Sequence, residues 1–441
     1  MDPCRSRFPG GFVFGAATSS YQIEGHSFGT AGSTHWDSFA ATPGNVVDSS
    51  NGGVACDHYH RFREDFDIAA DLGLDAWRFS TSWARVLPDG RGRINRQGLD
   101  FYDRLVDELL ERRLKPFPTL YHWELPSALA DVGGWANPEI ADWFGEFADL
   151  IGRTIGDRVF AVAPINEPWC IAWLGHMEGV HAPGLRDLRA AARAMHHVPL
   201  AHGKAVQALR SNGISNVGTI VNLEHSQAAD DSPASIQAAS LYDDLYNRWF
   251  VCAMREGRYP ARALAELEQF LPRGWEQDLA TIAAPLDWIG INYYTRKLIA
   301  ASKETGFPNW SEVQGDLPRT GMGWEIHPAG LRFFLNRIQN EHARGLPIYV
   351  TECGMAEVPT RMKSFRDDAL RTEFLRLHFD ETLHAIADGV DVRGFFIWSM
   401  LDNFEWSHGY SQRFGLVHVD FETQARTRKS SCAELRRWLR N

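Results

Sequence analysis

The feature that most constrains the fold of this chain is an alternation, repeated eight times, of a short apolar run with a longer stretch of helical periodicity. Short apolar runs are typical of strands buried on both faces, and apolar residues recurring every three or four positions are typical of helices. We predict strands at 12–17, 75–80, 115–122, 160–166, 216–222, 286–294, 348–352 and 392–398. We predict helices at 61–72, 97–113, 137–156, 188–210, 235–254, 328–344, 366–388 and 431–439. This order predicts an α/β fold, a single (β/α)8 TIM barrel that occupies residues 1–441 as one domain.

Two further features refine that prediction. The polar, glycine-rich stretches 25–56 and 295–325 are predicted to be long lid loops at the C-terminal face of the barrel. Pro116 and Pro118 are unusual inside the predicted strand 115–122, because proline has no amide hydrogen for a central strand.

The charge and hydropathy of the chain limit the classes of partner that it is expected to bind. Lys and Arg number 45 and Asp and Glu 56, which gives a formal charge of −11. An acidic chain without a basic run is not expected to bind nucleic acid or an anionic membrane. No uncharged apolar run reaches the roughly 18 residues of a membrane span, and residues 1–9 lack an apolar signal core. We therefore expect a cytoplasmic protein with a small-molecule partner.

Tryptophan and cysteine usage add to this expectation. The chain has 16 tryptophans, and because sugar rings present apolar C–H faces that stack on indoles, this number mildly favours a carbohydrate ligand. The six cysteines are scattered without CxxC spacing, as expected of reduced structural thiols.

Two carboxylates end predicted strands. Glu352 follows the apolar run that begins at Ile348, and Glu167 follows the run that begins at Phe160. Residues at strand C-terminal ends converge on one site in a (β/α)8 barrel, so the two side chains are expected to face one mouth. Other polar or aromatic residues at or just after strand ends are Gln22, Arg78, His122, Trp123, Asn166, Asn222, Tyr294, Trp398, Glu405 and Trp406. This set lacks the His, Asp and Cys cluster of a metal site and a glycine-rich phosphate loop, so we expect no metal and no cofactor.

Two carboxylates within a shell of hydroxyl-binding groups are the equipment for glycoside hydrolysis. One must be protonated to release the leaving group, and the other must be ionised to attack the anomeric carbon. Arg78 and Tyr294 are candidates to hold Glu352 as an anion, whose charge would keep Glu167 protonated. The side chains predicted to hydrogen-bond or stack on the sugar are Gln22, His122, Asn166, Glu405, Trp398 and Trp406.

At these residues the chain resembles the β-glucosidases of glycoside hydrolase family 1 over nearly its full length. The segments that carry the resemblance are 14–25, 77–80, 121–123, 166–168, 181–184, 290–294, 351–352 and 398–406. The resemblance implies that Glu167 is the acid/base and Glu352 the nucleophile. It implies sugar-binding roles for Gln22, His122, Trp123, Asn166, Trp398, Glu405 and Trp406, a nucleophile contact for Tyr294, and aglycone-side positions for Trp324, Trp169, Leu174 and Asn222.

The activity implied is that of a retaining β-glucosidase. It would release terminal non-reducing β-D-glucosyl residues from β-glucosides and short oligosaccharides through a glycosyl-enzyme. Activity on β-fucosides and β-galactosides, and transfer to a sugar instead of water, stay open. The sequence does not determine the preferred aglycone or the oligomeric state.

The chain departs from the family pattern at several positions, and its residues bear on three rival functions. Pro164, His176, His327 and Cys353 stand where the family usually has other residues; Cys353 is expected to point away from the pocket, because successive strand side chains alternate. A non-catalytic sugar-binding relative should lack one catalytic carboxylate, and a thioglucosidase could dispense with the acid; here both carboxylates are present. A 6-phospho-β-glycosidase should carry Ser and Lys after the eighth strand, where this chain has Glu405.

Overall fold

The computed structural model describes residues 3–303, 306–357 and 367–440. The strands in chain order are β1 (Val13–Ala17), β2 (Ala76–Ser80), β3 (Lys115–Tyr121), β4 (Ala163–Ile165), β5 (Gly218–Ala228), β6 (Trp288–Ala301), β7 (Trp310–Val313), β8 (Ile348–Cys353), β9 (Val392–Trp398), β10 (Val417–Val419) and β11 (Arg426–Arg428).

Eight of these strands form a closed parallel barrel. Their order is β4-β3-β2-β1-β9-β8-β6-β5, and every neighbouring pair along it is parallel. Parallel bridges from Val162 to Val217 and from Asn166 to Ile220 join the two ends. The predicted α/β barrel is therefore confirmed. Strand β7 pairs antiparallel with β6, and β10 and β11 form a separate two-stranded sheet.

Helices follow the barrel strands and cover the outside of the sheet. The α-helices are α1 (Ser20–Ile23), α2 (His35–Ala41), α3 (His58–Leu72), α4 (Trp83–Val86), α5 (Arg96–Glu111), α6 (Ser127–Ala130), α7 (Ile140–Ile155), α8 (Leu188–Ser211), α9 (Pro233–Asp243), α10 (Trp249–Glu256), α11 (Ala261–Leu267), α12 (Leu279–Ile282), α13 (Ala329–Ile338), α14 (Ala369–Ala387) and α15 (Ser430–Arg440). In α7 the buried Ile140, Phe144, Phe147 and Ile151 recur every three or four residues, which is the spacing of one helical face.

Two predicted helices are interrupted. The helices predicted at 235–254 and 328–344 contain wide π-type turns at Asp244–Arg248 and Gln339–Ala343. In the first turn, the Asn247 side chain accepts a hydrogen bond from the Glu224 amide and donates one to the Glu224 carbonyl. A tertiary contact thus overrides the helical periodicity at this turn. Turns of this type are frequent near functional sites.

Other boundaries shift for local reasons. The helix predicted from Asn137 begins at Ile140, because the Asn137 side chain accepts from the Glu139 amide in a preceding turn. The strand predicted at 160–166 is regular only over Ala163–Ile165, with single bridges on either side. The helix predicted at 366–388 is described from Ala369, and its first predicted residue lies outside the described residues.

The lid predictions are only partly correct. Strands β5 and β6 continue beyond the barrel to Ala228 and Ala301, and β7 pairs with the extension of β6, so part of 295–325 is sheet. The stretch 25–56 contains α2, whose N-terminus is closed by a reciprocal capping box between Thr34 and Asp37.

The barrel interior is packed by large side chains set against small ones. Trp288 and Phe396 belong to the cluster inside the barrel, and a Cβ atom at Gly218 or Gly15 would overlap their rings. The six cysteines, all within the described residues, are free thiols, and every one except Cys4 is buried. Among the described helices none is long and apolar enough to cross a membrane.

Candidate active site

A cavity of about 630 Å³ opens at the carboxyl ends of the barrel strands. This volume lies in the range of small-molecule sites. The predicted residues that line it are His122, Trp123, Glu167, Trp169, Leu174, Asn222, Tyr294, Trp324, Glu352, Trp398, Glu405 and Trp406. The strand-end carboxylates and most of the predicted sugar-binding side chains therefore share one space.

Glu352, near the end of β8, is held by two buried donors. The Arg78 guanidinium on β2 forms an ion pair with Oε1, and the Tyr294 hydroxyl on β6 donates to Oε2 over 2.5 Å. Arg78 also donates to the Asn166 Oδ1 at 2.6 Å, which fixes the plane of the guanidinium. Both predicted contacts to Glu352 are present, so each oxygen of this carboxyl group has a fixed donor.

Glu167 follows β4 and is held differently. Its backbone is in the left-handed region, with φ 48°, which is uncommon for a residue with a side chain and turns it toward the cavity. The Asn292 amide donates to Oε1 at 2.6 Å, and the Cys170 thiol donates to Oε2 at 3.2 Å. Burial and the negative charge of Glu352 raise the pKa of Glu167 to about 8. The Glu167 carboxyl is therefore mostly protonated at neutral pH.

Two residues that line the cavity have a polar side-chain atom without a partner among the described residues. Glu405 Oε2 is buried and has no hydrogen-bond partner among the described residues, and burial and the charges of Glu352 and Glu167 raise its pKa to about 8. His122 Nε2 accepts from the Asn166 amide at 3.3 Å, because an amide NH2 can only donate. The proton is then on Nδ1, which is buried and unpaired within the described structure. These groups are available to a ligand's hydroxyls.

Indole rings line the cavity near these two residues. Trp398 stacks on His122 with centroids 5.7 Å apart, and Trp406 packs on Trp123 at 4.9 Å. Trp123 and Trp406 also have left-handed backbones, with φ 74° and 48°. Trp324 lies beside Tyr294 at 5.4 Å. Flat apolar walls with convergent polar atoms suit a pyranose ring.

Three predicted site residues lie behind the cavity wall: Gln22, Arg78 and Asn166. Gln22 uses both amide hydrogens within the protein, on Asn403 Oδ1 at 3.0 Å and the Phe404 carbonyl at 2.8 Å. In this structure it therefore positions the loop that carries Glu405.

Cys353 does not line the cavity. It is fully buried in the core cluster outside the barrel, as the alternation of strand side chains predicted. Burial raises the pKa of the thiol well above its usual value, so the thiolate is disfavoured.

The cavity is also lined by residues that sequence reasoning missed. They are Cys170, Trp173, Glu178, Glu224, Tyr242, Tyr246, Lys297, Trp310 and Glu312. Asn292, which contacts Glu167, was also missed, although it belongs to the quoted segment 290–294. Cys170 had a signal, since it stands three residues after Glu167. The others lie on helical segments, strand extensions and β7, without a motif.

A possible metal-ligating group lies elsewhere. Among the described residues, three metal-ligating side chains come within 4.8 Å of one another only at Cys252, Glu256 and His342. None of them lines the cavity, and His342 Nδ1 is paired with Glu256 at 2.8 Å. The described part of the cavity thus offers carboxylates, amides and indoles for its chemistry.

The chain is similar to known proteins over nearly its whole length. Residues 4–439 match the model of Glycosyl hydrolase family 1. Beta-glucosidase A of Thermotoga maritima is 42% identical over 429 residues, which is 96% of each chain. A bifunctional beta-D-glucosidase/beta-D-fucosidase of Bifidobacterium breve is 39% identical over 459 residues, 98% of each chain. The solved family 1 β-glucosidase from T. maritima has a TM-score of 0.94, with 98% of this chain and 97% of that chain covered at 42% identity.

Proposed function

Because the chain belongs to glycosyl hydrolase family 1, whose β-glucosidases are retaining, we propose that Glu352 is its nucleophile and Glu167 its acid/base. The activity is that of a retaining β-glucosidase. The observation that carries the assignment is the contrast between the two carboxyls. Arg78 and Tyr294 hold Glu352, while Glu167 is buried beside it with its pKa raised to about 8.

In the first step, the Glu352 carboxylate attacks the anomeric carbon and the bond to the aglycone oxygen breaks. Glu167 gives its proton to that oxygen, so the aglycone leaves as a neutral alcohol. The product is a glycosyl ester on Glu352. Proton donation matters most where the leaving group is a poor one.

In the second step, Glu167 changes role. Forming the ester removes the negative charge of Glu352, which is one of the two main causes of the raised pKa of Glu167. The carboxyl therefore becomes more acidic, and its carboxylate can accept a proton from water as the water attacks the anomeric carbon. The ester bond to Glu352 breaks in the same step, which restores the Glu352 carboxylate. Two inversions give glucose with the configuration of the substrate.

We propose that Glu405 and His122 select the sugar. The unpaired Glu405 Oε2 and the unpaired His122 Nδ1 match the acceptor and donor that adjacent sugar hydroxyls need. The Glu405 carboxyl would repel a 6-phosphate when ionised. Substrates proposed are β-glucosides and short oligosaccharides such as cellobiose, with β-fucosides as a second class because the B. breve relative is named for both.

The test is a panel of 4-nitrophenyl β-glycosides of glucose, fucose, galactose and glucose 6-phosphate. We expect the highest kcat/KM on the glucoside or fucoside and the lowest on the 6-phosphate. Proton NMR of the first-formed sugar should show the β-anomer, and added glucose as acceptor measures transglycosylation. A higher kcat/KM on the 6-phosphate would contradict the role of Glu405, and a first-formed α-anomer would contradict the double displacement.

We also propose that residues 1–441 form a single catalytic domain that acts in the cytoplasm. One hydrophobic core cluster contains residues from Phe8 to Leu439, which supports the first proposal. The free thiols support the second, since unpaired cysteines are typical of reducing compartments.

A further inference from the structure

The cavity has a strong excess of carboxyl groups. Six line it: Glu167, Glu178, Glu224, Glu312, Glu352 and Glu405. Among its described lining residues, Lys297 is the only lysine or arginine. The catalytic chemistry and sugar binding account for Glu167, Glu352 and Glu405, which leaves three carboxyls without a role in that scheme. We call Glu178, Glu224 and Glu312 the outer carboxylates.

A chain of contacts leads from the acid/base to the outer carboxylates. Cys170 bonds to Glu167, and the Asn222 amide lies 3.7 Å from the Cys170 sulfur and donates to the Tyr246 hydroxyl at 2.6 Å. Tyr246 stacks on Tyr242, whose hydroxyl donates to Glu224 at 2.5 Å. Since Glu167 protonates the aglycone oxygen, the outer carboxylates lie on the side where the aglycone departs.

Aromatic rings surround the same space. Trp169 stacks on Trp173 with centroids 4.8 Å apart and packs on Tyr246 at the same distance. Tyr242 stacks on Tyr246 at 5.4 Å and meets the Trp310 ring edge-on at 5.4 Å. The faces of such rings carry negative electrostatic potential and attract cations, most strongly when water is excluded.

One lysine cannot balance three carboxylates. Lys297 Nζ lies 2.5 Å from Glu312 Oε2, and its ammonium also interacts electrostatically with Glu224 and Glu178. Glu224 accepts a hydrogen bond from the Tyr242 hydroxyl at 2.5 Å, which is a neutral donor. Burial raises the pKa of Glu178 and of Glu224, and a cation in this space would oppose that effect by favouring their ionised forms. The ring faces and the outer carboxylates therefore favour a cationic occupant over an anionic one.

We propose that the outer end of the cavity is a cation-selective aglycone site: it favours β-glucosides whose aglycone carries an ammonium group and disfavours anionic ones. The inference rests on the proposed function, since it concerns the same substrate's leaving group. A neutral second sugar also finds hydrogen-bond acceptors here, but it gains nothing from the cation–π attraction or from the excess charge.

The experiment compares three competitive inhibitors of equal size whose sulfur linkage resists hydrolysis. They are the 1-thio-β-glucosides of 2-(trimethylammonio)ethyl, 3,3-dimethylbutyl and 2-sulfonatoethyl. Each Ki is measured against hydrolysis of 4-nitrophenyl β-glucoside. We expect the ammonium compound to bind about tenfold more tightly than its neutral isostere, and the sulfonate about tenfold more weakly. Equal Ki values, or tighter binding of the sulfonate, would overturn the proposal.

Two variants that change the charge at the outer end of the cavity in opposite directions test the proposal further. Glu224→Gln removes a carboxyl that can carry negative charge beside a bound cation, and it should reduce the ratio of neutral to ammonium Ki several-fold. Lys297→Gln removes a competing cation and should increase the ratio. Glu266, exposed on α11 and outside the cavity, is the matched control. Glu266→Gln changes the net charge of the protein as Glu224→Gln does and should leave the ratio unchanged. A ratio that moves equally in both Glu variants would show a long-range effect of net charge and contradict the local site.

Failure of this inference is distinguishable from failure of the proposed function. An enzyme that hydrolyses 4-nitrophenyl β-glucoside but binds the three inhibitors equally retains its function without cation selectivity. A protein that hydrolyses no β-glucoside contradicts the function itself.

Discussion

The Cys170 thiol donates a hydrogen bond to Glu167 Oε2 over 3.2 Å, from a position three residues further along the chain. Asn292 occupies the other oxygen, so both oxygens of this carboxyl have a fixed donor. A donor stabilises the ionised carboxylate and lowers its pKa, opposing the effect of burial. Cys170 is thus a positioning residue that also limits how far the pKa of Glu167 rises.

Replacing Cys170 should therefore change the pH profile. In Cys170→Ala the Glu167 carboxylate loses a donor, so the alkaline limb of kcat/KM should move to higher pH. Cys170→Ser restores a donor and should keep the limb near its original place. The measurement is kcat/KM on cellobiose from pH 5 to 10. A limb that is unchanged in the alanine variant would show that the thiol has only a packing role.

The acid role of Glu167 predicts a dependence on the leaving group. Glu167→Ala should lower kcat/KM on cellobiose by at least about 100-fold, the usual contribution of a general acid, and far less on 2,4-dinitrophenyl β-glucoside. Azide should partly restore turnover of the activated substrate and give the β-glucosyl azide. Equal losses on both substrates would remove Glu167 from the acid role.

The raised pKa of Glu167 predicts the effect of neutralising its neighbour. Activity needs the protonated carboxyl, so it should fall as pH rises through about 8. Because the charge of Glu352 is one cause of the shift, Glu352→Gln should lower the pKa of Glu167. Carbon NMR of the labelled Glu167 carboxyl in the wild type and in Glu352→Gln checks this. A titration that is the same in both would show that burial alone sets the pKa.

Glu124, a buried carboxyl with no part in the proposed reaction, predicts how the stability of the protein varies with pH. Glu124 is buried, its Oε1 has no partner among the described residues, and burial raises its pKa from 4.5 to about 8. A raised folded-state pKa means that its contribution is full below pH 4.5 and is lost as pH rises to about 8.

Glu124→Gln should therefore be more stable than the wild type at pH 8, by on the order of 1–4 kcal/mol, and similar to it at pH 4.5. Chemical unfolding at the two pH values measures this, with the exposed Glu266→Gln as control. A destabilisation of Glu124→Gln that is equal at both pH values would mean that the ionised carboxylate is not the unfavourable form.

The sequence predicted the barrel because its strands are short, apolar and separated by strongly periodic helices. The convergence of the two proposed catalytic carboxyls was predictable for a related reason: in a barrel, residues such as Glu167 and Glu352 at strand ends converge wherever they fall in the chain. The rule does not say whether a strand-end side chain reaches the surface of the cavity. Gln22 lies behind the cavity wall, and both of its amide hydrogens bond within the protein.

The outer half of the cavity was not predictable in this way. Glu224 and Lys297 lie on extensions of β5 and β6 beyond the barrel, where pairing with a neighbouring strand continues without an apolar pattern to mark it. The wide turn at Asp244–Arg248 that brings Tyr246 to this space is set by Asn247, whose partner is 23 residues away in sequence. Such contacts depend on the folded arrangement, not on local propensity.

The most direct test of the assignment is to trap the covalent intermediate. A 2-deoxy-2-fluoro-β-glucoside with a dinitrophenyl leaving group forms the glycosyl ester but slows its hydrolysis, because fluorine destabilises the oxocarbenium-like transition state. Peptide mass spectrometry of the inactivated protein should find one fluoroglucosyl group, on Glu352. A label on Glu167 or Glu405, or loss of activity without any label, would contradict the assignment of Glu352 as the nucleophile.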